Sequence, residues 1–411
     1  MKIYVDEVGT FNYGNAMMAA NFVYFLRKRG DFIFYAATKS ERDNNRLREM
    51  SKTNIKRFYI DPYIRAFMKN EPKIVKMARY LPYPFMASYR IKNNFDSFVF
   101  LGGDTLSSPY FSSGIIMKLL KIKLISRSIP TFLVGITIGP FKSHTKKIAE
   151  ICLSDAYVYT RDQGTYNYLT KELKLKNIYR SSDLAFLELP MQSNQNEKSK
   201  ILEKYGITEN EYITVIPSGL YKKYTNDFEI YVSNWEKILR RLLEQNIFKN
   251  KKIVLLAHVM QPQDVDDRII INNIIDKNPD VSPRIILITD ELLPHEARII
   301  LGNGKFTITG RMHGAISTFQ MGKPAISLSY SVKYRGVIGD ELKLPNLIIE
   351  SSDARLWENG SIVTKVIDKV SYVVENYDSL IESINQNAEI AKNNALYSIE
   401  AVAKVLHGLK E

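Results

Sequence analysis

Within the 411-residue chain, the segment 307–334, TITGRMHGAISTFQMGKPAISLSYSVKY, holds the residues best equipped for chemistry. A β-rich run ends at Gly310, Arg311 and His313 follow in the turn, and an amphipathic helical pattern begins at Gly314. A helix N-terminus offers unpaired N–H groups and the positive end of the helix dipole, so it favours an anion. Arginine can grip a phosphate or carboxylate with two parallel hydrogen bonds, and histidine, with an ordinary pKa of about 6.5, can give or take a proton near neutrality. The run Arg311-Met312-His313 therefore reads as a site where a phosphate or carboxylate fits. Without a ligand, the same residues make an ion pair and a helix cap.

Other candidates are fewer. Gly102-Gly103-Asp104 follows an apolar run, and Asp104 on that tight loop is placed to stabilise the turn. His258 lies just past a strand pattern, open to a site role or to a structural hydrogen bond, whereas His144, His295 and His407 read as surface histidines. The single cysteine, Cys152, has no basic neighbour to activate it and reads as a core thiol. No Cys/His or Asp-x-Asp cluster has metal-ligand spacing, and no Gly-x-x-x-x-Gly-Lys loop occurs, so neither a metal nor a nucleotide cofactor is expected.

The elements that must position these residues follow one grammar. Short apolar runs at 2–6, 97–101, 131–135 and 156–160 each lead into a turn and then a helical period. After a polar stretch at 187–200 the pattern restarts, with strands expected at 212–216, 253–257, 284–288, 306–309 and 325–328 and helices between them. Buried parallel strands with helices on both faces produce this alternation. The expected fold is α/β, with two Rossmann-like doubly wound domains facing a cleft. The domains are expected at 1–190 and 200–370, and a helical segment at 371–411 is expected to pack back on the first. In such sheets ligands bind beyond the carboxyl ends of the strands, where Arg311, His313 and Asp104 fall.

Several pieces, taken in order, resemble the polysaccharide pyruvyl transferase family. Asn12-Tyr13-Gly14 is similar to its first-loop Asn-x-Gly, and Gly102-Gly103-Asp104 to its glycine-rich loop. Ile138-Gly139-Pro140-Phe141, Arg161-Asp162 and Ser182-Asp183-Leu184-Ala185-Phe186 match further elements, and Ala257-His258 with Asp264 and Asp267 resembles its Pro-His segment. The glycine before Arg-x-His, followed by Gly322, Pro324, Tyr330 and Lys333, is similar to its C-terminal signature. The chain departs from the family at Asn15, Leu101 and Ala257, which bear on the acceptor more than on the fold.

The resemblance implies a fold like that of the two-domain (GT-B-like) glycosyltransferases and transfer of a pyruvyl group from phosphoenolpyruvate, a co-substrate rather than a cofactor, to a sugar. It implies His313 and Asp104 as catalytic groups, and Arg311, Arg161, Lys333, Met312 and His258 as donor-binding residues. Asn12, Gly14, Gly102 and Gly103 would form the loops. A glycosyltransferase using a nucleotide sugar and a catalytically silent glycan-binding member stay open beside this reading.

Charge adds a partner class. The formal charge is +13, and residues 1–187 carry 30 basic against 15 acidic residues. Residues 63–92 hold seven basic residues against one acidic, interleaved with aromatics. This suits an anionic membrane surface or a glycan, lipid-linked or free, as well as a plain solvated face. No nucleic-acid-binding motif is visible. With no leader-like start and no long apolar run, the expected location is the cytoplasm, with peripheral contact at the inner face of the membrane.

Overall fold

The computed structural model describes residues 1–60, 81–107, 112–277 and 283–409. Its contacts divide the chain into two units. Unit 1 comprises Met1–Thr10, Met18–Leu184 and Asn393–Glu411, and unit 2 comprises Phe11–Met17 and Ala185–Lys392.

In unit 1, β1 (Lys2–Asp6), β2 (Ile33–Ala36), β3 (Ile55–Arg57), β4 (Ser97–Phe100), β5 (Thr131–Ile136), β6 (Tyr157–Thr160) and β7 (Ile178–Arg180) form a sheet in the order β3-β2-β1-β4-β5-β6-β7. All of its pairings are parallel. The central strands β4 and β5 are buried along their whole length, which explains why SFVF and TFLVGI read as continuous apolar runs rather than alternations.

Unit 2 repeats the plan with β8 (Tyr212–Ile216), β9 (Lys252–Leu256), β10 (Ile285–Ile288), β11 (Thr307–Thr309), β12 (Ala325–Ser329) and β13 (Ile348–Glu350), ordered β10-β9-β8-β11-β12-β13 and again parallel. Its helix Phe228–Glu244 starts at Asp227, whose carboxylate accepts from the Ile230 N–H, and buries Tyr231, Trp235, Ile238 and Leu242 as one stripe.

Both halves are thus doubly wound α/β. In unit 1 the strand order reverses between β1 and β4, and in unit 2 between β8 and β11. Loops leaving the carboxyl ends of the strands at such reversals diverge to opposite faces and leave a crevice for a ligand.

Three expectations need correction. The stretch 187–200, read as a polar linker with or without a helix start, carries the helix Gln195–Lys204, but Leu187, Leu189 and Gln192 before it are buried. The buried Arg298 guanidinium donates to the carbonyls of Ala185 and Leu187 and to Gln192 Oε1, pinning this stretch to unit 2. His295 is not on the surface but 5% exposed, because it lies on a helix packed into the core of unit 2. Phe11–Met17, read as part of the first domain, groups with unit 2. Of the basic, aromatic segment 63–92, residues 63–80 lie outside the described residues.

Candidate functional site

The turn after β11 is built from close approaches. Gly310 donates its N–H to the Ile216 carbonyl, and a Cβ there would stand 2.8 Å from Ser218 Cβ and 3.0 Å from the Tyr224 hydroxyl. Its carbonyl accepts from the Tyr224 and Tyr334 hydroxyls at 2.9 and 2.8 Å. Thr309 Oγ1 accepts from the Arg311 N–H and donates to the Arg311 carbonyl, so the backbone of Arg311 is held on both sides. The helix Met312–Gln320 begins directly afterwards. A Cβ on Gly314 would meet Ile216 Cδ1 at 2.7 Å, so glycine lets this helix settle against β8.

Arg311 is oriented by Asp267, which is fully buried. Asp267 Oδ1 accepts from Arg311 Nε and Nη2 at 3.0 and 2.7 Å and from the Gly219 N–H at 2.7 Å. Oδ2 accepts from the N–H groups of His258 and Val259. Arg311 Nη2 also donates to the Val265 carbonyl at 2.6 Å. Burial opposes the guanidinium charge, but Asp267 outweighs it and raises the pKa above the ordinary arginine value. Nη1 makes no hydrogen bond to a described residue, and the side chain keeps 8% exposure. A fixed cation with one open edge thus stands at a helix N-terminus on the switch point of unit 2.

Two imidazoles flank it. His258 is 1% exposed, lies edge-on to the Tyr13 ring at 5.3 Å, and has no hydrogen-bond partner for Nε2 among the described residues. Burial first, then the charges of His313, Arg311 and Arg298, holds its pKa well below the ordinary 6.5, so it is neutral at physiological pH. His313 sits in the first turn of Met312–Gln320 and is half-buried. The first loop wraps these rings. Asn12 bridges to Val259, its Oδ1 accepts from the Gly14 N–H at 3.1 Å, and a Cβ on Gly14 would fall 2.1 Å from His313 Nδ1. Glycine is required at 14 because the imidazole occupies that space.

Lys333 reaches the same turn through tyrosines. Its Nζ donates to the Tyr330 hydroxyl at 2.8 Å, and Tyr330 packs edge-on to Tyr224, which holds Gly310. Met312 is 3% exposed, so it packs inside unit 2 instead of offering a surface to a donor.

Arg161 departs further from its expected role. It is 1% exposed in unit 1, donating through Nη1 to Asp183 at 2.7 Å and through Nε to Thr137 Oγ1. Burial opposes its charge, but Asp183, with Asp104 and Asp162, outweighs burial and raises its pKa above the ordinary arginine value. Arg161 is better described as the cation that organises the unit 1 switch-point loops.

Those loops follow β1 and β4. Gly102 is crowded, a Cβ meeting Phe100 Cε1 at 2.3 Å and Thr105 Oγ1 at 2.4 Å, and Gly103 has φ +54° while its carbonyl accepts from the Thr137 N–H. The turn leaves Asp104 half-buried. Sequence reasoning missed its neighbours on the β1 side of this switch point: Asp6 pairs with the buried Lys121 at 2.5 Å, and Glu7 with Lys118 at 2.6 Å. It also missed Asp267 as the partner of Arg311, although Asp267 belongs to the motif around His258. The signal was there in the acidic residue opening a helix soon after a strand.

Comparison with known proteins bears on this arrangement. The family model described as polysaccharide pyruvyl transferase matches residues 12–332. The amylovoran biosynthesis protein AmsJ of Erwinia amylovora is 22% identical over 265 residues, which is 63% of this chain and 61% of that protein. The chain thus spans about three-fifths of that relative's length. Among solved structures, a UDP-GlcNAc 2-epimerase of Neisseria meningitidis bound to UDP-GlcNAc superposes with a TM-score of 0.60 at 9% identity, covering 98% of this chain and 100% of that one. A glycosyltransferase of Rickettsia africae gives 0.55 at 13% identity, covering 98% and 97%. At these identities the structures establish the fold alone, a GT-B-like pair of Rossmann-like halves.

Proposed function

The chain belongs to the polysaccharide pyruvyl transferase family, and from that premise we propose that it transfers a pyruvyl group from phosphoenolpyruvate to two hydroxyls of a sugar. The sugar would belong to a cell-surface polysaccharide or its lipid-linked precursor, in keeping with the name of the Erwinia relative. The observation that carries the reading is Arg311, locked by Asp267 at the switch point of unit 2 with Nη1 left open, next to His313 at the helix N-terminus.

The reaction makes demands that these residues can meet. Protonation of the donor's methylene carbon uses the enol π electrons to form a C–H bond and leaves an oxocarbenium-like C2. One sugar hydroxyl attacks C2 and gives up its proton, the C2–O bond to phosphate breaks, and the second hydroxyl closes the ketal while its proton leaves with the phosphate. Arg311 and the helix N–H groups bind the anionic donor and stabilise the phosphate as it departs. His313 gives or takes the proton. Neutral His258, with Nε2 uncommitted, orients the donor without adding charge, and Lys333 contributes a further cation. Asp104 is assigned the acceptor hydroxyl proton. The reading invokes no cofactor.

The test is phosphate release from phosphoenolpyruvate in the presence of a panel of sugar acceptors, with the product checked for a pyruvate ketal. Acceptor-dependent release supports the proposal. Turnover of a nucleotide sugar with no consumption of phosphoenolpyruvate replaces it with the glycosyltransferase reading.

A further inference from the structure

A surface of unit 1 far along the chain from the donor residues has the composition of a lipid-binding face. The helix Tyr83–Asn94 buries Pro84, Ala87, Ser88 and Ile91, with Ala87 and Ile91 in the hydrophobic core of the unit. Its other side is apolar where a solvated helix would be polar: Phe85 is 59% exposed, Met86 46% and Tyr89 65%, and Leu81 just before the helix is 51% exposed. Leu81, Phe85 and Tyr89 recur every four residues and so form one stripe, with Met86 beside Phe85. Single exposed hydrophobics are ordinary, but four large ones within nine residues make a patch that marks an interaction site.

We propose that this face docks on an anionic lipid bilayer. Charge complementarity selects that occupant. Past the stripe the same helix carries exposed Arg90 and Lys92 and no acidic residue, and residues 1–187 hold 30 basic against 15 acidic residues. Aromatic and aliphatic side chains enter the boundary between headgroups and acyl chains while neighbouring cations meet anionic headgroups. A nucleic acid would use the cations but leave Leu81 and Met86 without benefit. A second copy of the chain, meeting the first about a two-fold axis, would set Arg90 and Lys92 against the same cations of its partner. Among the described residues no helix is long and apolar enough to cross a membrane, so the contact lies in the plane of the interface.

The full-length protein is tested by sedimentation with vesicles of phosphatidylcholine alone and of phosphatidylcholine containing phosphatidylglycerol. The wild type is expected to sediment with the anionic vesicles only, and to come off as salt shortens the screening length. The double variant Phe85→Ser/Tyr89→Ser should bind at least about tenfold more weakly, a loss of roughly 1.4 kcal/mol, with an unchanged thermal midpoint because both side chains are exposed. Arg90→Gln/Lys92→Gln should weaken binding and flatten its salt dependence. Wild-type protein that ignores anionic vesicles, or serine variants that bind as well as wild type, overturns the proposal. RNA binding, or a change of oligomeric state caused by the same substitutions without vesicle binding, assigns the face to another partner and overturns it too.

Discussion

At the scale of single residues the site depends on one carboxylate organising several donors. Asp267 accepts five N–H groups, two of them from Arg311, and in doing so fixes the loop that carries His258. Burial and nearby positive charge keep His258 neutral, which has a consequence for stability. In the unfolded chain this histidine titrates near 6.5, and in the folded protein well below that value. As pH falls below 6.5 the unfolded chain takes up a proton that the folded protein refuses, so stability drops by up to about 1.4 kcal/mol per pH unit until the folded pKa is reached. His258→Asn is therefore expected to lose less stability than wild type between pH 7 and about 5.5, read from urea midpoints at each pH. Identical acid sensitivity in the two proteins contradicts this account of His258.

At the scale of elements, strand ends and helix starts do the positioning. Chain segments far apart in sequence converge on the β8/β11 switch point: the first loop, the turn after β9 and the turn after β11. Gly14 shows how closely they fit. Gly14→Ala would drive its methyl into the His313 ring, so the imidazole or the loop must move; overpacking of this kind costs about 1–3 kcal/mol. The variant should lose most of its turnover while its melting curve stays cooperative, and unimpaired turnover would show that His313 need not sit where the loop holds it. Much of this was legible in the sequence. The buried strands β1, β4, β5, β8, β9 and β12 announced themselves as apolar runs ending in turns, and the Gly-Arg-Met-His turn could be placed at a helix start. What was not legible has a physical cause. Strands such as β3, β7 and β13 are three-residue pieces, IKR, IYR and IIE, with exposed positions, too short for a period to show. The pairing of Arg161 with Asp183, and of Arg311 with Asp267, depends on which strand ends become neighbours, and local pattern does not record that.

At the scale of the whole molecule, each half places ion-paired polar residues at its own topological switch point. The unit 2 point offers a held cation, a helix N-terminus and imidazoles, the groups to which the proposed donor role is assigned. The unit 1 point pairs its carboxylates with cations, Asp183 with Arg161, Asp6 at the end of β1 with Lys121, and Glu7 with Lys118. Family membership and the GT-B-like fold are the ground on which the proposed pyruvyl transfer rests, and the proposed donor site around Arg311 carries its central claim. Calorimetric titration of phosphoenolpyruvate into wild type, His313→Ala and Arg311→Lys tests it most directly. The account predicts clear binding by wild type, nearly equal binding by His313→Ala, whose loss falls on turnover by roughly 10²- to 10⁴-fold, and weakened binding by Arg311→Lys, because a lysine cannot hold Asp267 through two N–H groups and still present a third N–H to the donor in the same geometry. Arg311→Lys binding phosphoenolpyruvate as tightly as wild type, or a wild type that binds a nucleotide sugar and not phosphoenolpyruvate, would contradict it.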